Sequence, residues 1–307
     1  MNPLHSSQNP MADEIQATHL TPTNTPAGRL IARHSFARDV MDWVLPPSCR
    51  LCDAPASSHA WWCEACHLEL HAAALRVRET CHRCALPIPA KLSHAKPLDD
   101  AETVLSERLC VECADNPDRF GFDRAIAAMS YQGQVCRAVV AAKYRGGRSV
   151  ARALAARLGD RLEIELATSS VDGIVFVPSH RVRAYLRGGN GVRVLAEELS
   201  KRFDWPIFPV LRTTRRIAKQ AWLDDRARRQ NVSGAFGFRK SYAWLDKSLE
   251  WSGISWRRHP HSIAGRHLVV VDDVLTTGAT GGEIARTLKS GGARRVTLVV
   301  VARAIRG

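Results

Sequence analysis

The chain has 307 residues, of which 45% are apolar and 24% charged, and this balance excludes collagen, a coiled coil and wholesale disorder. No stretch approaches the ~20 uninterrupted apolar residues that would span a bilayer, and the first 30 residues lack the apolar core of a secretory signal. We therefore expect a cytoplasmic protein without membrane insertion, whose nine cysteines lie in a reducing compartment that does not favour disulfides.

The charge is unevenly distributed. The net charge is +14, but residues 1–120 carry −4 and residues 121–307 carry +18. A surface of this sign attracts polyanions such as phosphates, nucleotides and nucleic acid, although it is also typical of a solubilising face. Charge alone does not choose among these partners.

The first part of the chain divides into a tail and a cysteine-rich region. Residues 1–38 lack the apolar periodicity that would offset the entropy of ordering them, and we predict a disordered tail. Residues 39–118 contain eight of the nine cysteines and few long periodic runs. This texture is typical of a small domain that a metal, rather than a hydrophobic core, holds together.

From residue 119 onward, strand patterns alternate with helix patterns. We predict strands at 125–131, 173–177, near 207–211, at 267–271 and at 296–301, and helices at 135–144, 150–158, 192–202 and 278–289. This alternation indicates an α/β domain over residues 119–307, with a largely parallel sheet flanked by helices. The Trp-rich segment 239–264 fits no βα unit and is predicted to be an insertion, either packed on the surface or forming a lid.

The eight clustered cysteines form four Cys-x-x-Cys pairs, namely Cys49/Cys52, Cys63/Cys66, Cys81/Cys84 and Cys110/Cys113. Two residues between thiolates let both sulfurs bind one tetrahedral Zn²⁺ at ~2.3 Å, and two pairs complete a closed four-sulfur site. The eight ligands predict two zinc ions, which are structural because four thiolates leave no open position for water. Redox pairs are the alternative, and both a sequential and an interleaved pairing stay open.

The most informative segment runs from Val269 to Thr280 and reads VVVDDVLTTGAT. A buried strand carries Asp272 and Asp273 at its carboxyl end, and a short Thr/Gly loop then opens a helix. Unpartnered N–H groups and the positive dipole end at a helix start bind a phosphate monoester, while neighbouring carboxylates accept hydrogen bonds from sugar hydroxyls. An acidic strand end with a threonine cap is the simpler interpretation, but it explains one aspartate only. We predict a phosphorylated-ribose site formed by Asp272, Asp273, Thr276, Thr277, Gly278, Ala279 and Thr280.

Further stretches accompany this segment. They are Lys143-Tyr144, Val177-Pro178 leading to Arg183 and Arg187-Gly188, and Gln220-x-x-Leu223-x-x-Arg226 followed by Asn231, Ala235 and Phe236. The acidic segment resembles the signature of type I phosphoribosyltransferases, which bind phosphoribosyl pyrophosphate (PRPP). With the cysteine pairs, the whole pattern resembles the ComF family of competence-associated proteins, which have an N-terminal zinc domain and a C-terminal phosphoribosyltransferase-like domain. The resemblance covers about residues 40–307, apart from the insertion.

The resemblance implies a type I phosphoribosyltransferase-like sheet, PRPP as the ligand together with Mg²⁺, and a role in natural transformation. For catalysis, it makes Lys143, Arg183 and Arg187 the candidates that neutralise the departing pyrophosphate. The family loop normally reads Arg-Gly-Phe-Asn-Gln, whereas this chain has Arg-Gly-Gly-Asn-Gly at 187–191. The glycines at 189 and 191 add backbone freedom, and this departure bears on catalysis more than on ligand binding.

Two functions of different kinds are compatible with this pattern. The first is a phosphoribosyltransferase, a glycosyltransferase that uses PRPP, releases pyrophosphate and acts on an unknown acceptor. The second is a non-enzymatic component of the DNA-uptake machinery that contacts single-stranded DNA or a competence helicase, with PRPP as a regulatory ligand. Neither the acceptor nor the oligomeric state follows from the sequence.

Overall fold

The computed structural model describes residues 47–57, 61–88, 108–144, 146–178, 190–215, 230–239 and 262–305, and the structural statements below refer to these residues. The chain divides into two compact units, Met1–Leu45 and Pro46–Gly307, and the second contains every described residue. The predicted tail, Arg183, Arg187 and residues 240–261 of the Trp-rich insertion lie outside the described residues. None of the described helices is long and apolar enough to cross a membrane.

A parallel four-stranded sheet forms the centre of the second unit. Its strands are β1 (Arg124–Ser130), β2 (Gly173–Phe176), β5 (His267–Leu275) and β6 (Arg295–Arg303), hydrogen-bonded in the order β1-β6-β5-β2. Strands β3 (Leu211–Thr213) and β4 (Phe236–Phe238) form a separate antiparallel pair. The helices are α1 (Glu64–Leu75), α2 (Val111–Asp115), α3 (Gly133–Ala142), α4 (Arg148–Glu165), α5 (Gly191–Phe203) and α6 (Ala279–Ser290).

The predicted parallel sheet with flanking helices is confirmed, and two of the predicted strands differ from the prediction by more than two residues. The strand expected near 207–211 divides in two, because Ile207 forms a single parallel bridge with Ile174 and β3 begins at Leu211. Strand β5 continues past Val271 to Leu275, since its pairing with β6 extends to the partners Leu275 and Arg303. The two aspartates therefore lie within a paired strand, near its carboxyl end.

Both faces of the sheet are buried, which explains the continuous apolar run of β5. Alternate residues of a strand point to opposite faces. Val269 and Val271 belong to one core cluster, with buried residues of α1, α3, α4 and α5, whereas Leu268 and Val270 belong to the other, with buried residues of α6. Burying each such side chain stabilises the fold by ~1.5–3 kcal/mol. The cysteine pairs also divide between the faces, because Cys49 and Cys66 lie in the first cluster and Cys81, Cys84 and Cys113 in the second.

The last turn of α3 lies very close to the beginning of α5. A Cβ atom added at Gly191, the first residue of α5, would lie 2.6 Å from the carbonyl oxygen of Ala142. The side chain of Asn190 caps the helix, since its Oδ1 accepts a hydrogen bond from the Arg193 N–H at 3.3 Å. The glycine that departs from the family loop at position 191 is therefore required here by packing.

The substitution Gly191→Ala should destabilise the protein by ~1–3 kcal/mol, because the new methyl group overlaps backbone that cannot rotate away. The measurement is the midpoint of urea unfolding of the zinc-loaded chain. Gly282→Ala in α6 is the matched control, since the nearest atom to its added Cβ is at 3.5 Å. In a helix interior, alanine is also more favourable than glycine by ~1 kcal/mol. Equal midpoints for the two variants would contradict the close packing.

Candidate functional site

The eight paired cysteines form two separate groups. The groups are Cys49, Cys52, Cys63 and Cys66, and Cys81, Cys84, Cys110 and Cys113, and within each the four Sγ atoms all lie within 4.8 Å of one another. The sulfurs of Cys52 and Cys63 are 3.5 Å apart and those of Cys84 and Cys110 are 3.8 Å apart. Tetrahedral Zn²⁺ with ~2.3 Å bonds separates its sulfurs by about 3.8 Å, so both groups fit the ion. The pairing is sequential, and all nine cysteines are free of disulfides.

The two groups are built on the same backbone plan. The Asp53 N–H donates to the Cys49 carbonyl and the Ala85 N–H to the Cys81 carbonyl, and both donors have a left-handed φ, of 58° and 54°. In each group the third cysteine is the residue that immediately precedes a helix, α1 or α2. We call the first group with its flanking residues 47–57 and 61–78 the first ribbon, and the second with residues 79–88 and 108–115 the second ribbon.

Two carboxyls and one ammonium group meet at the carboxyl end of β5. Lys143, directly after α3, places its Nζ 2.6 Å from Oδ2 of Asp273, and the Asp273 N–H donates to Oδ1 of Asp272 at 2.8 Å. Desolvation and then the negative charge of Asp273 raise the pKa of Asp272 to about 8. At neutral pH, Asp272 is therefore largely protonated, while Asp273 forms an ion pair with Lys143.

The turn between β5 and α6 presents unpartnered backbone donors. We call Thr276–Gly281 the phosphate loop. Among the described residues, no acceptor bonds the N–H groups of Thr276, Thr277, Thr280 and Gly281, whereas the N–H of Ala279, the first residue of α6, donates to Oγ1 of Thr277 at 3.3 Å. Gly278 has φ 77°, and an added Cβ would also lie 2.6 Å from Cε1 of Phe120, so both conformation and packing require glycine. Such a helix start, with free N–H groups, binds anions.

Two residues near this site, Tyr131 and Cys136, belong to none of the motifs found in the sequence. Tyr131 directly follows β1, and its pKa is raised by desolvation and then by Cys136, with a further contribution from Asp273. The second residue, Cys136, lies half-buried on α3. Only its position in the sequence could have indicated Tyr131, because a residue that ends a parallel strand lies at the same edge of the sheet as the aspartates.

The structure brings Lys143 to the predicted aspartates and places the phosphate loop next to them. Arg183 and Arg187 lie outside the described residues. The roles assigned to these residues from the sequence stay predictions.

Comparison with known proteins identifies both parts of the chain. A family model of the phosphoribosyl transferase domain matches residues 189–307, and one of the double zinc ribbon domain matches residues 40–114. The chain is 28% identical to the DNA utilization protein YhgH of Escherichia coli (strain K12), over 85% of this chain and 99% of that protein. It is also 28% identical to Competence protein F of Haemophilus influenzae, over 43% of this chain and 51% of that protein.

Among solved structures, the allosteric regulatory enzyme of purine biosynthesis matches 49% of this chain and 26% of its own, with 20% identity and a TM-score of 0.28. The fold assignment therefore depends on the strand order and on the two domain matches. These matches confirm the predicted N-terminal zinc-binding region and the phosphoribosyltransferase-like sheet.

The raised pKa of Asp272 predicts a specific dependence of stability on pH. Because the folded state holds this proton up to about pH 8 while the ordinary carboxyl releases it near 3.8, the stability contributed by Asp272 falls as the pH rises between these values. Between pH 6 and 8, the free energy of unfolding should decrease relative to that of Asp272→Asn by up to ~1.4 kcal/mol per pH unit. Urea unfolding of the zinc-loaded proteins measures it.

The control is Asp160→Asn, which changes an exposed acid on α4 that pairs with Arg202. Its difference from the wild type should stay constant across this range. A constant difference for Asp272→Asn as well would mean that Asp272 is ionised in the folded protein throughout.

Proposed function

We propose that the chain, which matches a phosphoribosyl transferase domain and a double zinc ribbon domain and so resembles the ComF family, binds PRPP at the phosphate loop and the two neighbouring aspartates, in a role connected with the uptake or use of DNA. The observation that carries the proposal is the set of unpartnered N–H groups directly beside two carboxyls at one end of β5. The 5′-phosphate of PRPP would accept hydrogen bonds from the loop, and the ribose hydroxyls would contact Asp272 and Asp273.

The protonation of Asp272 and the ion pair of Asp273 support a ligand that has both hydroxyl groups and negative charge. A protonated Asp272 donates one hydrogen bond and accepts others, so it matches a sugar hydroxyl, which does the same. Asp273 is the carboxylate that would contact Mg²⁺ or its water, because Mg²⁺ takes few protein ligands and uses substrate phosphates for the rest. Lys143 is one-third exposed and would turn from Asp273 to the pyrophosphate, together with Arg183 and Arg187.

As an enzyme, the protein would transfer the phosphoribosyl group. The bond from the anomeric carbon to pyrophosphate breaks and its electron pair leaves with pyrophosphate, while the acceptor forms the new bond and loses a proton. Such transfers pass through an oxocarbenium-like state, as in glycoside chemistry. The negative charge that develops on the departing pyrophosphate is then the main charge that the protein must stabilise. Mg²⁺ would supply part of that neutralisation.

Calorimetric titration of the zinc-loaded chain with PRPP and Mg²⁺ tests the proposal. The double variant Asp272→Asn/Asp273→Asn should lose at least about 100-fold in affinity, because it removes the Asp273 carboxylate that would accept from a ribose hydroxyl and contact Mg²⁺ or its water. Asp160→Asn is the control and should bind as the wild type does. Normal binding by the double variant would overturn the site, and no heat from the wild type would overturn the ligand. Release of pyrophosphate in the presence of an acceptor library then separates an enzyme from a binding protein.

A second function has an observation of its own in its favour. The net charge of +18 over residues 121–307 favours a polyanion, so a non-enzymatic DNA-binding component with PRPP as regulatory ligand is the alternative. The name of each relative given above refers to DNA or to competence. A partner helicase would belong to the same role.

Single-stranded DNA binding at several salt concentrations tests this alternative. A protein that neutralises about six phosphates of a single strand should lose ~300-fold in affinity between 50 and 200 mM salt, because its binding is driven by the release of cations from the DNA. Fluorescence anisotropy with a labelled oligonucleotide measures it, and an uncharged nucleic-acid analogue is the control ligand. A response that is flat with salt would exclude binding through this charge.

A further inference from the structure

One buried arginine joins the second ribbon to the phosphate loop. Arg303 is the last residue of β6 and only 6% of its surface is exposed. Its Nε donates to the carbonyl of Cys84 at 2.8 Å, and its Nη1 donates to the carbonyl of Leu275 at 2.9 Å and to that of Thr276. The same planar group therefore contacts a residue of the second cysteine group on one side and the beginning of the phosphate loop on the other.

These contacts determine where the loop donors point. In a trans peptide, the C=O and N–H of one unit point in opposite directions. Because Arg303 holds the carbonyls of Leu275 and Thr276, the N–H groups of Thr276 and Thr277 point away from it. These are two of the groups that have no partner among the described residues. The arginine thus aims donors at the side where an anion would bind.

The second cysteine group also offsets the charge of this arginine. Burial of an unpaired cation is unfavourable, so a buried guanidinium needs hydrogen bonds and negative charge nearby. The guanidinium of Arg303 donates hydrogen bonds to four carbonyl groups, those of Cys84, Leu275, Thr276 and Ala304. Four thiolates around Zn²⁺ carry a net charge of −2, and Cys84 belongs to that set.

A second contact connects the same two regions. Phe120 and Phe122 lie between α2 and β1, and their rings stack with centroids 4.8 Å apart. Phe120 fills the space in which a side chain at Gly278 would lie. The chain that leaves the second ribbon therefore supports the one residue of the phosphate loop that has a left-handed conformation.

The first ribbon repeats the plan without these contacts. Cys52, its equivalent of Cys84, is exposed, whereas Cys84 is 2% exposed. Helix α1 of the first ribbon packs against β1 and α3 instead. Among the described residues, no hydrogen bond joins the first ribbon to the phosphate loop. The first ribbon is therefore an internal control for the effect of the second ribbon on the phosphate loop.

We propose that the second ribbon, acting through Arg303, holds the phosphate loop in its anion-binding shape, and that the first ribbon does not. Arg303 is a positioning residue, since it contacts the loop from behind. The identity of the anion, the phosphate monoester of PRPP, rests on the proposed function, whereas the support of the loop does not. Loss of metal from the second ribbon should therefore make the phosphate loop open more often, while most of the sheet remains folded.

Two serine substitutions form a matched pair for the test. Cys63→Ser and Cys110→Ser each remove one half-buried ligand that immediately precedes a helix. Metal analysis of the full chain should give two zinc ions for the wild type and one for each variant. Hydrogen exchange without ligand then reports on the Gly282 and Ala304 amides, which bond to Gly278 and Leu275 at the two ends of the loop region.

We expect Cys110→Ser to accelerate exchange of these two amides at least tenfold and Cys63→Ser to leave them unchanged. The Phe208 amide, which bonds to Ile174 at the opposite edge of the sheet, should not change in either variant. Equal exchange at Gly282 and Ala304 in the two variants would overturn the proposal. Because no ligand is present, this result is independent of whether PRPP binds.

Arg303→Lys tests the positioning residue itself. Lysine keeps the charge but its compact ammonium does not reproduce the planar fork that contacts Cys84 and the loop together. We expect two zinc ions per chain, faster exchange at Gly282 and Ala304 alone, and a PRPP affinity lowered about tenfold. Wild-type exchange at both amides would overturn the assignment of Arg303. If this variant does not fold, the pair of cysteine variants still decides the proposal.

Discussion

The parallel pairing of β5 with β6 is the constraint on which the candidate site depends. It brings the carboxyl ends of the two strands to one edge, so that Asp272 and Asp273 lie near the end of β5, the phosphate loop follows it, and Arg303 ends β6 beside them. Parallel sheets place ligand sites at this edge because the strand ends converge there and the helices begin there. In this chain the pairing also places a buried cation behind the loop, and the loop donors point outward as a result.

The charges at this edge are compatible with the anion that we propose as the ligand. One carboxyl of the pair holds a proton, since burial and its neighbour disfavour a second negative charge, and the other has Lys143 as a counter-ion. Repulsion between the aspartates and an incoming phosphate is therefore small. The backbone donors of the loop are already without partners among the described residues, so the proposed phosphate would meet them at a low free energy cost of rearrangement.

The sequence predicted the features that depend on local spacing. The cysteine pairs predicted both four-cysteine groups, because two residues between thiolates determine a local geometry. The run from Val269 to Thr280 predicted a strand, a turn and the start of a helix. Sequence alone did not predict that β5 continues to Leu275, since this depends on pairing with residues of β6 that lie 28 positions further along. The ion pair of Lys143 with Asp273, and the contacts of Arg303 with Cys84, likewise join residues that are more than 100 positions apart.

The ribbons also determine what happens at the outer strands. A parallel sheet with open sides exposes rows of N–H and C=O groups that pair with other molecules. Here the Ala125 N–H at the β1 side donates to the carbonyl of His82, which lies between two cysteines of the second ribbon, and the β2 side exchanges hydrogen bonds with residues 206–208. A chain that loses its second metal ion would uncover β1. Metal starvation would then endanger the protein first through self-association into aggregates.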